Sequence, residues 1–250
     1  MKHSILILGG TAEARQLAGR LAQDSRYAVE LSLAGRTRSP AEQPVPVRVG
    51  GFGGAEGLAG YLRLRDVKLL VDATHPYAAR ISRNAAEAAR LAEIPLLALR
   101  RVPWQRQDGD FWREVASVGQ AVSALGQSPR RVFLTLGRQE LLPFETAPQH
   151  RYLIRSVDPV EPALNLPDVV YLTDRGPFNE VDEKALLQNN EIGAIVAKNS
   201  GGPASYGKIA AARALGIEVV LIQRPDLPEV ASVANIEEVL ERLNHMLPPL

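Results

Sequence analysis

The chain contains no cysteine among its 250 residues. This absence excludes disulfide bonds, a thiolate nucleophile, zinc–thiolate sites and iron–sulfur clusters held by cysteine. Histidine is also scarce, and no two of the four histidines have the spacing of a metal-binding pair on one helical turn. The common metal sites built from cysteine or paired histidines are therefore not expected.

Long hydrophobic runs and an excess of charge of one sign are lacking as well. No apolar stretch approaches the roughly 20 residues of a membrane helix, and the run Ile5–Leu8 is too short for the core of a signal peptide. The net charge of +1 gives no support for binding to nucleic acid or to a membrane surface. We expect a cytoplasmic protein with neither partner. The sequence leaves the oligomeric state open and is compatible with a monomer.

The apolar segments that are present alternate between two lengths and spacings. Short continuous runs, typical of buried strands, alternate with longer segments of helical spacing. This alternation predicts parallel sheets with right-handed crossovers. The predicted strands are Ile5–Leu8, Ala28–Leu33, Val45–Val49, Lys68–Asp72, Leu96–Leu99, Arg131–Leu136, Tyr152–Val157, Val169–Thr173, Ala194–Lys198 and Val219–Gln223. The predicted helices are Thr11–Ala22, Ala55–Leu64, Ala78–Ala92, Val118–Leu125, Val181–Gln188, Lys208–Leu215 and Ile236–Met246.

A polar, irregular stretch interrupts the alternation at residues 101–109, and we interpret it as a linker. The predicted fold class is therefore α/β, with two Rossmann-like doubly wound parallel-sheet domains. We place the first domain at residues 1–102 and the second at residues 103–250. A cleft between them is the default ligand site.

The first candidate site is the turn where the first strand meets the first helix. The pair Gly9-Gly10 allows a ligand to approach the backbone, and the N–H groups of Thr11, Ala12 and Glu13 begin a helix that can face a phosphate. The dinucleotide fingerprint G-x-G-x-x-G is incomplete here. The alternative interpretation is a tight strand-to-helix turn with Thr11 as the N-cap.

The end of the second strand bears on the choice of dinucleotide. An NAD-binding unit usually has an acidic residue there, which holds the ribose hydroxyls. This chain instead has Gly35-Arg36-Thr37-Arg38. Arginine grips a 2′-phosphate through two hydrogen bonds, so Arg36 and Thr37 favour NADP(H) over NAD(H). Solvated surface arginines are the alternative.

The segment Asp72–Tyr77 ends the fourth predicted strand, at the same sheet edge as the glycine turn. Pro76 suits the first turn of the next helix, with Thr74 or His75 as its cap. A role for His75 beside a nicotinamide or a substrate is the alternative.

In the second half, the loop Lys198–Gly202 follows a buried strand and again offers N–H groups to an anion. The next residues, Gly202–Lys208, match the P-loop spacing G-x-x-x-x-G-K, but Ile209 stands where a magnesium-binding hydroxyl is required. The NTP-binding interpretation therefore loses its metal. Ser200 lacks the G-x-S-x-G context of a nucleophile.

Four cations of the second half are placed at or after strand ends, where open parallel sheets bind ligands. Each alone is more often a surface charge, but together they suit one polyanionic ligand in a shared cleft. They are Arg138, Arg175, Lys198 and Lys208.

Several motifs, taken in order along nearly the whole chain, resemble those of the precorrin-6A reductases of corrin (vitamin B12) biosynthesis. They are Leu8–Arg15, Gly35–Thr37, Val49–Gly54, Asp72–Ala78, Gly137–Glu140, Arg175–Phe178 and Lys198–Gly201. The resemblance implies NADPH-dependent reduction of one ring double bond of precorrin-6A, giving precorrin-6B, without a flavin or a metal of the protein's own. A similar enzyme of the anaerobic route reduces the cobalt-containing analogue, and the sequence does not separate the two.

The resemblance also implies a division of roles along the chain. The first half holds NADPH, through the glycine turn, Arg36, Thr37, Thr74 and His75. The second half holds the polycarboxylate tetrapyrrole, through Arg138, Arg175, Lys198, Ser200, Gly201 and Lys208. Water, a substrate carboxyl, Lys208, Tyr206 or His75 delivers the proton. An NTP-dependent transferase and a non-catalytic NADP-binding sensor are the competing hypotheses.

Overall fold

The computed structural model describes residues 2–35 and 41–247 of the chain. In those ranges it forms strands, α-helices and two short 3-10 helices, Arg138–Glu140 and Leu142–Thr146. The strands are β1 (His3–Leu8), β2 (Tyr27–Leu33), β3 (Val47–Val49), β4 (Val67–Asp72), β5 (Leu96–Leu99), β6 (Trp112–Val115), β7 (Arg131–Leu134), β8 (Arg151–Ser156), β9 (Val169–Thr173), β10 (Ala194–Lys198), β11 (Glu218–Ile222) and β12 (Ser232–Val233). The helices are α1 (Ala12–Ala22), α2 (Gly54–Leu64), α3 (Ala79–Ala92), α4 (Val118–Ala124), α5 (Glu180–Asn189), α6 (Gly207–Leu215) and α7 (Ile236–Met246).

The chain divides into two compact units. The first comprises Met1–Arg101 and Pro225–Leu250, and the second comprises Val102–Arg224. Each contains one six-stranded sheet in which every strand pair is parallel. The predicted fold class, α/β with two doubly wound parallel sheets, is confirmed.

The sheet of the first unit has the order β3-β2-β1-β4-β5-β12, which is the dinucleotide-binding order with β12 in the sixth position. Successive side chains of β1 point to opposite faces. Ile5 and Ile7 pack with α1 and α7, whereas Leu6 and Leu8 pack with α2 and α3. The strand order reverses between β1 and β4, and sheets of this kind bind ligands at the carboxyl ends of the strands at such a point.

The sheet of the second unit repeats this order as β9-β8-β7-β10-β11-β6. Its order reverses between β7 and β10. The sixth position is occupied by β6, which precedes the other five strands in the chain, whereas the sixth strand of the first sheet comes from the C-terminal segment. The two sheets therefore take their sixth strands from opposite directions along the sequence.

Because the C-terminal strand β12 joins the first sheet, the expected domain limits must be corrected. The chain leaves the first unit close to the predicted residue 102, but residues 225–250 belong to the first unit and not to the second. The reason is backbone pairing and packing. Ala98 N and Arg100 N donate to Ala231 O and Val233 O, each at 2.8 Å, and Val239 and Leu243 of α7 are buried in the first core.

The predicted linker is also part of a folded unit. Residues from Val102 onward belong to the second unit, and the Trp104 side chain is only 9% exposed within its core.

Two strands, β6 and β12, were not predicted. Both are short, and two of the four residues of β6 are charged and exposed. In the described ranges, no helix is both long and apolar enough to cross a lipid bilayer.

Candidate functional site

The glycine turn lies where the strand order of the first sheet reverses. Gly9 N donates to Ser32 O at 2.9 Å, and a Cβ on Gly9 would lie 2.7 Å from Leu31 Cδ1, so a side chain there would collide with β2. Gly10 has a φ of +109°, which L-residues rarely adopt, and apart from Gly10 and its two chain neighbours no described residue has an atom within 4 Å of where its Cβ would be. The turn is thus closely packed at Gly9 and open at Gly10.

Thr11 is the N-cap of α1. Its Oγ1 accepts a hydrogen bond from Ala14 N at 3.1 Å and donates one to Ala73 O at 2.8 Å. The alternative prediction, a turn capped by Thr11, is therefore confirmed. The cap uses the N–H group of Ala14 and leaves the two N–H groups before it available to a phosphate. The N–H groups of Ala12 and Glu13 stay outside the helix's own hydrogen bonds, and such groups are suited to a phosphate.

Glu13 brings a negative charge to this helix N-terminus, and Arg101 pairs with it. The guanidinium lies 3.0 and 3.1 Å from the two carboxylate oxygens, with both side chains mostly buried. The pair removes the repulsion that a free carboxylate would exert on a phosphate. A role for Arg101 was not predicted, although Arg101 follows β5, whose carboxyl end lies at the same sheet edge.

A pocket of about 390 Å³ adjoins the first turn of α1. Ala12, Arg15 and Gln16 line it together with residues 42–44. Gln43 Oε1 is buried and has no hydrogen-bond partner within the described residues. The predicted 2′-phosphate ligands Arg36 and Thr37 lie outside the described residues, a few positions before this lining segment. The pocket and Arg15 were not predicted.

The segment after β4 differs from the prediction. Thr74 N and Oγ1 both donate to Asp72 Oδ1, at 3.1 and 2.7 Å, and Ala78 N donates to His75 O at 2.7 Å. These bonds form turns before α3, which begins at Ala79 with Ala78 as its N-cap. The prediction that Thr74 or His75 caps α3 is therefore wrong. Instead, Asp72, Thr74 and His75 line a small pocket at the sheet edge.

In the second unit, Lys198 contacts the 3-10 helix that contains Arg138, at the point where the strand order of the sheet reverses. Lys198 Nζ donates to Glu140 Oε2 at 2.5 Å, and Glu140 shares a 3-10 helix with Arg138. The Arg138 guanidinium lies 3.7 Å from Asp158 Oδ2 and donates to Pro159 O at 3.3 Å. These two predicted substrate ligands are thus brought to the carboxyl ends of the neighbouring strands β10 and β7.

Arg175 lies on a different part of the same sheet edge. It is exposed and follows β9, the edge strand. Its loop contacts the loop after β10, because Phe178 N donates to Ala204 O at 3.0 Å.

Lys208 has an environment that sequence analysis did not predict. It is 5% exposed, its Nζ donates to Ser205 O at 2.7 Å and lies 5.3 Å from the Trp104 ring centroid. Burial lowers the pKa of Lys208 to about 7, the charge of Arg155 acts in the same direction, and Glu183 opposes both. Lys208 therefore lies beneath the loop 202–206 and not on its solvent side. A P-loop lysine must instead reach the phosphates.

Two further side chains of this buried region were missed. Arg155 and Glu183 form a double hydrogen bond of 2.5 and 2.8 Å, and both are nearly inaccessible. The Arg155 guanidinium also lies 3.6 Å from the Phe178 ring centroid. The predicted proton donor Tyr206 has its hydroxyl bound by the Arg213 guanidinium. Arg155 lies in β8 and Glu183 in α5, and neither belongs to a sequence motif, so their pairing was not predictable from the sequence.

Ser200 and Gly201 continue the turn after β10. Ser200 N donates to Lys198 O at 2.8 Å, and Gly201 has a φ of +67°. Among the residues that the structure describes, no group of three or more acidic or histidine side chains is arranged to hold a metal ion.

Comparison with known proteins agrees with this architecture. The family model for "Precorrin-6x reductase CbiJ/CobK" matches residues 4–244. The precorrin-6A reductase of a Sinorhizobium species is 58% identical over 248 residues, which cover 99% of this chain and 95% of the relative. A solved structure of CobK precorrin-6A reductase superposes with a TM-score of 0.94 at 45% identity, covering 98% of this chain and 97% of that one.

A cobalt-precorrin-6A reductase from Priestia megaterium is more distant, at 28% identity over 250 residues, which cover 96% of this chain and 97% of the relative. The resemblance drawn from the motifs is thereby confirmed. The chain belongs to the precorrin-6x reductase family of oxidoreductases.

Proposed function

We propose that this enzyme reduces one ring double bond of precorrin-6A to give precorrin-6B, with NADPH as the hydride donor. The observation that carries the proposal is the family match over residues 4–244, combined with an open glycine turn at the reversal point of a dinucleotide-binding sheet. The relative named for the metal-free substrate is far more similar than the one named for the cobalt form, which favours metal-free precorrin-6A.

The first unit fits a dinucleotide on its own geometry. Gly10 leaves room for close approach, and Ala12 and Glu13 offer N–H groups to a pyrophosphate. Arg101 offsets the charge of Glu13. The pocket beside α1 contributes Arg15 and the buried Gln43 Oε1, which suit the adenosine end. We assign the 2′-phosphate to Arg36 and Thr37.

The second unit presents cations at its own reversal point. Lys198 and Arg138 are each only partly exposed and each already has a carboxylate neighbour, Glu140 and Asp158. Such pairs hold the cations in place before the substrate arrives, and a substrate carboxylate then competes for them. Arg175, Ser200 and Gly201 extend this anion-binding edge along the loops after β9 and β10.

When bound, NADPH supplies the hydride, and the protein supplies binding and orientation. The proton must come from another group. Lys208 is buried and bonded to Ser205 O, and the Tyr206 hydroxyl is engaged by Arg213, so we assign to neither the role of direct donor. His75 Nδ1 accepts from Tyr77 N at 3.3 Å, which places the proton of a neutral ring on Nε2. His75, water and a substrate carboxyl remain the candidates.

We propose the cytoplasm as the site of action, because that is where NADPH serves biosynthetic reduction. One chain carries both proposed binding regions, and we propose a monomer.

The test is a comparison of substrates under anaerobic conditions. Precorrin-6A should cause loss of NADPH absorbance with a higher kcat/KM than cobalt-precorrin-6A, and NADH should replace NADPH poorly. Magnesium and ATP should leave the melting temperature unchanged, because Lys208 lies beneath its loop. A large magnesium-dependent stabilisation by ATP would revive the transferase hypothesis, and tight NADPH binding without any turnover would favour a sensor.

A further inference from the structure

The chain passes between its two units at two places, next to Val102 and next to Arg224. Trp104, two residues after the first crossing, and Arg224, at the second, are both hydrogen-bonded to one loop, residues 198–202, which begins at the last residue of β10. We call these five residues the strand-end loop. This convergence within the second unit is not required by the sheet, because the residues of the strand-end loop that make these bonds, Asn199, Ser200 and Gly202, follow Lys198, the last paired residue of β10.

Asn199 makes the first connection through its side-chain amide. Its Oδ1 accepts from Trp104 N at 2.7 Å, and its Nδ2 donates to Trp104 O at 3.0 Å. Trp104 returns a third bond, because its indole Nε1 donates to Gly202 O at 2.8 Å. One amide side chain thus holds both polar groups of the Trp104 backbone, while the Trp104 ring holds the far end of the strand-end loop.

Arg224 makes the second connection from the other crossing. Its Nε donates to Asn199 O at 2.8 Å and its guanidinium donates to Ser200 O at 3.0 Å. Gly201 allows the close approach of both crossings, because a Cβ there would lie 2.3 Å from Val102 O and 2.5 Å from the Arg224 guanidinium. Asn199 is thus bonded towards both crossings, to Trp104 through its side chain and to Arg224 through its backbone carbonyl.

We propose that Asn199 is a positioning residue of the reductase reaction, which couples occupation of the strand-end loop by the substrate to the two chain crossings. This inference rests on the proposed function, since it takes the tetrapyrrole carboxylates as the ligand of Lys198, Ser200 and Gly201. The coupling is mechanical. A carboxylate that draws Lys198 away from Glu140 shifts the backbone at Asn199, and five hydrogen bonds transmit that shift to Trp104 and Arg224.

The chain provides its own reporter, because it has only two tryptophans. Labelling tryptophan with ¹⁵N gives two amide and two indole signals in an NMR spectrum. The amide and the indole of Trp104 each donate to the strand-end loop. Trp112 is the internal control, because it is buried in β6 and its indole N–H has no hydrogen-bond partner within the described residues.

Saturation of the enzyme–NADP⁺ complex with precorrin-6A should shift both Trp104 signals and leave those of Trp112 nearly unchanged. Asn199→Ala should abolish the response of the Trp104 amide and lower kcat by about ten- to hundredfold, the cost of a small misplacement, with an unchanged Kd for NADPH. Asn199→Asp keeps the acceptor for Trp104 N and loses the donor to Trp104 O, so it should be intermediate.

The matched control is Asn190→Ala, which removes a side-chain amide bonded to Leu186 O at the end of α5. It should keep kcat and the Trp104 response. Unmoved Trp104 signals during normal turnover would overturn the inference alone, as would full kcat in folded Asn199→Ala. Absence of turnover by the unaltered enzyme would overturn the proposed function and the inference with it. If Asn199→Ala does not fold, Asn199→Asp and the titration of the unaltered enzyme still decide the question.

Discussion

Arg101 places its guanidinium 3.0 Å from the carboxylate of Glu13, at the N-terminus of the helix that follows the glycine turn. The two residues are far apart in sequence but meet because β1 and β5 end at the same edge of one sheet. We propose that this pairing allows the glycine turn to bind a phosphate although Glu13 lies in the first turn of the helix.

Arg101→Ala should therefore weaken NADPH binding. The unpaired Glu13 carboxylate would repel the pyrophosphate, with an effect of roughly fivefold in Kd, since partly exposed ion pairs are worth about 1 kcal/mol or less. Glu13→Gln in the Arg101→Ala background should restore part of the loss. Titration calorimetry with the two variants measures this, and no rescue by Glu13→Gln would argue against the repulsion.

Arg36→Ala should weaken NADPH far more than NADH, because only NADPH carries the 2′-phosphate. Loss of a charge-assisted hydrogen bond corresponds to roughly tenfold to over a hundredfold in affinity. Arg36 lies outside the described residues, so the prediction stands on the sequence pattern. Equal losses for both cofactors would show that Arg36 does not contact the 2′-phosphate.

Lys198→Ala should raise the KM for precorrin-6A and leave the Kd for NADPH almost unchanged. The variant loses a cation and also releases the carboxylate of Glu140, which would then repel the substrate. Adding Glu140→Gln should recover part of the KM, and steady-state kinetics of both variants test it. A matching rise in the Kd for NADPH would contradict the assignment of Lys198 to the substrate.

Lys208→Met should change how stability depends on pH. Burial lowers the pKa of Lys208 from 10.5 in the unfolded chain to about 7, so the native protein loses stability as the pH falls from 10.5 to about 7 and loses no more below that. Methionine avoids this loss. As the pH falls from 10.5 to about 7, the free energy of unfolding of the variant should therefore rise by a few kcal/mol relative to that of the unaltered enzyme.

Urea unfolding at a series of pH values measures this difference. Lys184→Met, at a partly exposed position on α5, controls for replacing a lysine by methionine. A difference that stays flat between pH 7 and pH 10.5 would show that Lys208 is not held neutral by burial.

The repeating pattern of the fold was predictable because buried parallel strands are short apolar runs. Leu96–Leu99, Val169–Thr173 and Ala194–Lys198 have the predicted limits. The assignment of residues 225–250 was not predictable, because no local pattern shows which sheet edge β12 joins. β6 escaped notice because its two middle residues are charged and exposed.

The site was predictable in part for the same reason. Parallel strands of one sheet bring their carboxyl ends to one edge, so the positions of the glycine turn, Thr74 and Lys198 at the edges of their sheets were predicted from strand ends alone, whereas their roles stay predictions. The environment of Lys208 was not predictable from the sequence, because helix α6 is buried on several sides and Lys208, in its first turn, is buried as well. The partners Arg101, Glu140 and Asn199 depend on long-range contacts that a sequence does not display.

Hydride transfer from NADPH to precorrin-6A is tested most directly by following an isotope from the cofactor into the product. The enzyme should be incubated anaerobically with precorrin-6A and NADPH carrying deuterium at the transferable position of the nicotinamide, and the product analysed by mass spectrometry. We expect precorrin-6B that contains one deuterium from the cofactor and one hydrogen from water for each NADPH oxidised. Oxidation of NADPH without deuterium in the tetrapyrrole, or no oxidation at all, would contradict it.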